Sequence, residues 1–140
     1  GYSYKPELAE KKEYYLKMNG RRLYQYALEN VPKAIKAGLD KLKLHVNEIG
    51  KVLIHQANGK MDDAILKRLF KLYNLKEVPE HIMPMTISWL GNSSVATVPT
   101  LLDIITRGEM DGHTLRSGDN IVLASVGAGM NINSIVYRIP

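Results

Sequence analysis

Lys51-Val52-Leu53-Ile54-His55-Gln56-Ala57-Asn58 is the stretch on which the reading of this chain turns. Val52, Leu53 and Ile54 form a short continuous apolar run, which suits a strand buried on both faces among parallel neighbours. Polarity then changes abruptly. His55, Gln56 and Asn58 stand at the carboxyl end of that strand, where open α/β sheets bind ligands. On these eight residues alone, His55 reads equally well as a histidine at the edge of the core, satisfied by backbone.

Upstream, Tyr24, Ala27, Leu28, Val31, Ile35, Leu39 and Leu42 recur at three- and four-residue steps, which predicts a long amphipathic helix from Arg21. Pro32 interrupts that stripe, so the helix kinks there or restarts with Asn30 as its cap; the stripe runs on through both sides and favours the kink. His45 to Gly50 reads as a polar turn into the strand.

Downstream, a second helix is expected from Asn58 or Gly59, with Met61, Ile65, Leu69 and Tyr73 on one face and Asn74 at its end. Val78 to Pro84 reads as a loop, and Met85 to Leu90 as a second apolar strand running into Gly91-Asn92-Ser93-Ser94. A third helix follows, with Val98, Leu101, Leu102 and Ile105 on its inner face and Pro99 near its first turn. Arg107-Gly108 stops it. After a polar loop, Ile121 to Val126 reads as a buried strand, Gly127-Ala128-Gly129 as a tight turn, and Asn131 to Ile139 as a strand paired back on it. The expected fold is α/β: a mixed, mostly parallel sheet with helices packed on it and an antiparallel C-terminal strand. Residues 1–20, rich in Tyr, Lys and Glu without a clean period, are expected to form an arm or loop, and 21–140 the domain.

The 140 residues suffice for one domain, and 45% apolar and 24% charged residues are ordinary for a globular chain. No apolar run has the length of a bilayer span, so no membrane partner is expected and the cytoplasm is the expected compartment. Gly1 at the first position fits a processed end, a tag remnant or a piece of a longer protein. The absence of cysteine excludes disulfides, thiolate metal sites and a cysteine nucleophile within these residues. A net charge of +5 favours an acidic partner. Nucleic acid is not expected as that partner, since no zinc spacing, aromatic RNA-binding strand or helix-turn-helix accompanies the charge.

Three polar or glycine-rich junctions now stand after predicted strands: His55-Gln56-Ala57-Asn58, Gly91-Asn92-Ser93-Ser94 and Gly127-Ala128-Gly129. Gly91-Asn92 alone is most often a turn, and Gly127-Ala128-Gly129 alone a hairpin connection. If the parent strands are parallel neighbours, His55, Asn92 and the Ala128 backbone converge. A neutral imidazole beside a carboxamide offers two N–H donors, suited to a developing enolate or oxyanion. A glycine-flanked N–H at Ala128 could serve a second oxyanion.

The ordered set resembles the C-terminal half of a β-ketoacyl-acyl-carrier-protein synthase III, a condensing enzyme of the thiolase superfamily. The similarity runs from Met18-Asn19-Gly20-Arg21 through the HQAN stretch, Gly91-Asn92-Ser93-Ser94 with Pro99, Ser117-Gly118-Asp119 and Gly127-Ala128-Gly129 to the last strand. It implies that His55 and Asn92 belong to a Cys-His-Asn triad whose cysteine lies in a missing N-terminal half. It further implies acyl-CoA and malonyl-acyl-carrier protein as substrates of a decarboxylative Claisen condensation that starts fatty acid synthesis. No metal or other cofactor is implied.

Ala128 would supply an oxyanion N–H; Gln56, Asn58, Gly91, Gly127 and Gly129 would support the site. Lys60, matching a basic docking position, would meet the acidic carrier protein, with Lys67 and Arg68 as further candidates and a solvated helix face as the plain alternative. A homodimer is expected of the whole protein, and no condensing activity of these residues alone. Gly59 and Met130-Asn131-Ile132-Asn133 depart from the family pattern, which leaves the acyl chain and its donor open. The alternatives are half of a related acyltransferase or polyketide-type synthase, and a non-catalytic carrier-protein-binding module.

Overall fold

The computed structural model describes residues 19–140; the arm expected over residues 1–20 lies almost wholly outside the described residues. Helix α1, Gly20–Lys41, is capped by Asn19, whose Oδ1 accepts the Arg22 N–H at 3.2 Å. It runs unbroken through a buried Pro32, so Asn30 starts no second helix. Ala27, Leu28, Val31, Ile35 and Leu39 are buried as the stripe predicts, while Tyr24 and Leu42 at its ends stay exposed.

A short 3₁₀ turn, Val46–Glu48, leads into β1, Ile49–Ile54, which begins earlier than the apolar run alone suggested. Helix α2, Gly59–Lys71, starts on Asn58, whose Oδ1 accepts the Lys60 N–H at 3.0 Å. It ends where Asn74 takes a left-handed φ of 58°. A four-residue helix α3, Ile87–Leu90, a 3₁₀ turn at Ser94–Ala96 and helix α4, Thr97–Thr106, precede the hairpin β2, Asn120–Gly127, and β3, Asn131–Arg138.

The sheet is mixed, in the order β1-β2-β3, with β1 and β2 parallel and β3 antiparallel to β2. Among the described residues β3 pairs along one edge only. Met85 to Leu90 is not the strand its apolar run predicts. Pro84 has no N–H to give to a ladder, and the Thr86 and Ile87 N–H groups are taken by the Gln56 side chain at 2.8 and 2.9 Å. What lies along the outer edge of β1 is the loop before them: the Val52 N–H donates to the Ile82 carbonyl at 2.8 Å.

Alternation along the strands separates two cores. Val52 and Ile54 of β1 with Val122 and Ala124 of β2 pack against α1 and α2 in the larger one. Leu53 packs with Leu101 and Ile105 of α4 in the smaller. Because α4 lies over β1 and β2, Ile135 and Tyr137 of β3 remain 57% and 43% exposed on that side. Among the described residues the larger core encloses an uncompensated carboxyl. Asp62 is fully buried among Ile35, Val52, Ile54, Ile65 and Met83, with no hydrogen-bond partner for either oxygen among the described residues. Burial, with a smaller push from Asp63, raises its carboxyl to about 7.

Candidate functional site

At the carboxyl ends of β1 and β2 a cleft of about 690 Å³ opens, within the size range of small-molecule sites. His55 and Asn92 both line it, as do Gly127 and Met130 on either side of Ala128 and Gly129. The three junctions of the sequence therefore meet at one cleft, although the second follows helix α3 and not a strand.

His55 stands where the parallel ladder ends, its N–H donating to the Ala124 carbonyl at 2.9 Å. Its ring turns to the segment that carries Asn92, with Nδ1 3.2 Å from the Ser94 carbonyl oxygen. A carbonyl only accepts, so Nδ1 carries the proton. That revises the expected pair of N–H donors: in the neutral ring Nε2 is then an acceptor, and it donates toward the cleft only as imidazolium. Asn92 is oriented by the same residue, since its Oδ1 accepts the Ser94 N–H at 2.9 Å. Among the described residues its Nδ2 hydrogens have no acceptor.

The backbone around Asn92 is unusual. Gly91 takes φ 66° and ψ −159°, a region essentially closed to side-chain-bearing residues, as the chain leaves α3. Ser94 and Met130 both adopt left-handed conformations, φ 53° and 61°. Gly129, φ 74°, makes the turn Ala128–Met130 between the last two strands. Beneath His55, Gln56 is fully buried and bonds Pro84, Thr86 and Ile87.

Much of the cleft wall is apolar: Leu23 and Ala27 from α1, Met61 from α2, Val95 and Val98, and Leu123 and Ile135 from the hairpin. Sequence reasoning did not collect these residues, though the alternation Leu123-Ser125-Gly127 and Asn133-Ile135 could have marked one face of β2 and β3. Trp89, Leu90 and Val95, near Asn92 in sequence, are also exposed, Val95 to 92%. Lys60, Lys67 and Arg68 are exposed on α2; helical spacing aligns Lys60 with Lys67 and Lys71, with Arg68 to one side. No group of three or more potential metal ligands gathers among the described residues. No described helix is long and apolar enough to cross a membrane.

The family model for 3-oxoacyl-[acyl-carrier-protein (ACP)] synthase III C terminal matches residues 39–139. Among curated relatives, the β-ketoacyl-[acyl-carrier-protein] synthase III of Acaryochloris marina is 32% identical over 123 residues, 88% of this chain and 34% of the relative. That of Microcystis aeruginosa is 33% identical over the same shares. The chain thus spans about a third of the length of the curated relatives it matches.

Among solved structures, the synthase III of Thermus thermophilus superposes with a TM-score of 0.74 at 27% identity, over 89% of this chain and 35% of that one. The priming β-ketosynthase of the R1128 polyketide pathway gives 0.73 at 26%, over 89% and 34%. The fold is therefore that of the thiolase-like synthases. With two of the residues singled out by their order lining one cleft, and with a family match over most of its length, the chain belongs to the C-terminal family of 3-oxoacyl-[acyl-carrier-protein] synthase III.

Proposed function

We propose that these residues form the C-terminal catalytic half of a cytoplasmic 3-oxoacyl-[acyl-carrier-protein] synthase III that joins an acyl-CoA to malonyl-acyl-carrier protein. The observation that carries the reading is the meeting of His55 and Asn92 at one cleft, tied through Ser94. In the proposed reaction the malonyl thioester oxygen lies against Asn92 Nδ2 and His55 Nε2. The bond to the malonyl carboxylate breaks, carbon dioxide leaves, and the electron pair passes into the thioester as an enolate. With Nδ1–H held by Ser94, Nε2 donates to that oxygen only when the ring carries a second proton, and the charge then opposes the enolate's.

The enolate carbon then attacks an acyl group carried as a thioester on a cysteine. The oxyanion so formed is held by the Ala128 N–H and collapses, expelling the thiolate, which takes up a proton. The 140 residues hold no cysteine. The nucleophile is accordingly assigned to an N-terminal half, and this part alone to inactivity. The exposed stripe of Lys60 and Lys67, flanked by Arg68, receives the acidic carrier protein, and the whole protein works as a homodimer.

In the complete protein, His55→Ala and Asn92→Ala are each expected to slow decarboxylation of malonyl-carrier protein at least about a hundredfold, the scale of losing one oxyanion donor. Full activity in both variants would end the reading. A second reading, a polyketide-type synthase with the same chemistry and another acyl group, is favoured by the likeness to the R1128 priming ketosynthase. Product analysis with a panel of acyl-CoA donors separates the two. Were the protein only a carrier-binding module, no nucleophilic cysteine would precede this part in the gene.

A further inference from the structure

His55 and Gln56 are neighbours in sequence, yet they grip opposite ends of one segment. Gln56 Oε1 accepts the N–H groups of Thr86 at 2.8 Å and Ile87 at 2.9 Å, and its Nε2 donates to the Pro84 carbonyl at 3.0 Å. From there the bonds continue along α3: Leu90 N–H to Thr86 O at 2.8 Å and Gly91 N–H to Ile87 O at 3.1 Å. Past Gly91, Asn92 Oδ1 holds the Ser94 N–H, and the Ser94 carbonyl returns to His55 Nδ1 at 3.2 Å. The path closes on itself, and Asn92 is carried inside it.

Gln56 has no solvent exposure and both ends of its amide are used. Such a side chain admits one orientation, because exchanging its oxygen and nitrogen would set donors against donors at Thr86 and Ile87. Helix α3 itself has few other anchors. No residue of α3 is buried, and Trp89 and Leu90 face solvent.

We propose that Gln56 is a positioning residue: its amide fixes the segment from Pro84 to Ser94 and thereby sets Asn92 against His55 across the cleft. The proposal rests on the reading of His55 and Asn92 given above. Its chemistry singles out Gln56→Glu. A carboxylate keeps both acceptor bonds to Thr86 and Ile87 but turns an oxygen toward the Pro84 carbonyl, where a donor is needed. A protonated carboxyl restores that donor.

In the complete protein, Gln56→Glu is expected to lower malonyl decarboxylation at least tenfold at pH 8. It should leave acyl loading of the cysteine from acyl-CoA within threefold of the parent. The ratio of variant to parent activity should climb as the pH falls, whereas that of Gln56→Ala stays low throughout. Hydrogen exchange at the Leu90 and Gly91 amides should quicken at least tenfold in Gln56→Ala.

Equal loss of loading and decarboxylation, or a ratio for Gln56→Glu that does not change with pH, would overturn the proposal. Unchanged exchange at Leu90 and Gly91 would do the same. Should His55→Ala and Asn92→Ala keep full activity, the functional reading fails instead; the exchange experiment still decides whether Gln56 holds the segment.

Discussion

The end of β1 and the first turns of α2 each bury a polar side chain completely, and the two are only six positions apart in sequence. Gln56 has every end of its amide bonded, while Asp62 has neither oxygen bonded among the described residues. The difference shows what burial of polarity can do. Bonded on all sides, it fixes a long-range connection that apolar packing would leave free to slide. Unbonded, it spends stability and becomes sensitive to pH.

Replacing Gln56 is the most severe way to challenge that contrast. Gln56→Leu strands two N–H groups and a carbonyl in a dry site, each worth about 1–3 kcal/mol. A loss of about 3 kcal/mol or more is expected in denaturant unfolding, and a wild-type midpoint would break the comparison. Asp62→Leu should act in the opposite direction, raising stability at neutral pH by about 1–3 kcal/mol, because it removes an unpaired polar group from an apolar layer. A destabilised Asp62→Leu would mean that the carboxyl has a partner in the folded protein.

The pH dependence of Asp62 sharpens the same point. Its folded value, about 7, lies above the ordinary 3.8, so the folded state holds the proton where the unfolded chain has released it. The contribution is fully present below 3.8, falls as the pH rises toward about 7, and is level beyond. Asp62→Asn should flatten that part of the stability profile, read as the difference between the two proteins' unfolding free energies from acid to neutral pH.

Smaller effects calibrate the scale. Asn58→Ala removes the cap of α2 and should cost about 1 kcal/mol in the same assay. Asp103→Ala breaks a 2.8 Å ion pair to Arg107 whose side chains are more than half exposed; it should cost no more than about 0.5 kcal/mol and vanish in high salt.

Periodicity was enough to read α1, α2, α4 and the β2–β3 hairpin, because each buries one face and the pattern of that face is local. It misread Met85 to Leu90, since a six-residue apolar run looks alike in a strand and in a short irregular segment. The deciding contact comes from Gln56, about 30 residues away, and no local pattern carries it. The order of three short motifs singled out His55 and Asn92, and both line one cleft. The tautomer of His55 was not legible, for it depends on the Ser94 carbonyl, 39 residues distant. Asp62 likewise reads from sequence as an ordinary acidic residue in a helix's opening turns, where the dipole favours it; only the packing of β1 and α1 over it reveals the cost.

The one-sided pairing of β3 bears on how this chain behaves at high concentration. A strand that pairs with β2 alone among the described residues, and with Ile135 and Tyr137 half open on one face, is a template on which another extended chain can add. Arg138 and Pro140 close the C-terminal side of that template with a charge and a missing N–H, and Asn131 and Asn133 keep its beginning polar. Fibre growth would therefore be expected to start in the middle of the strand, at Ile135, and a lysine there is the substitution most apt to keep the chain dispersed.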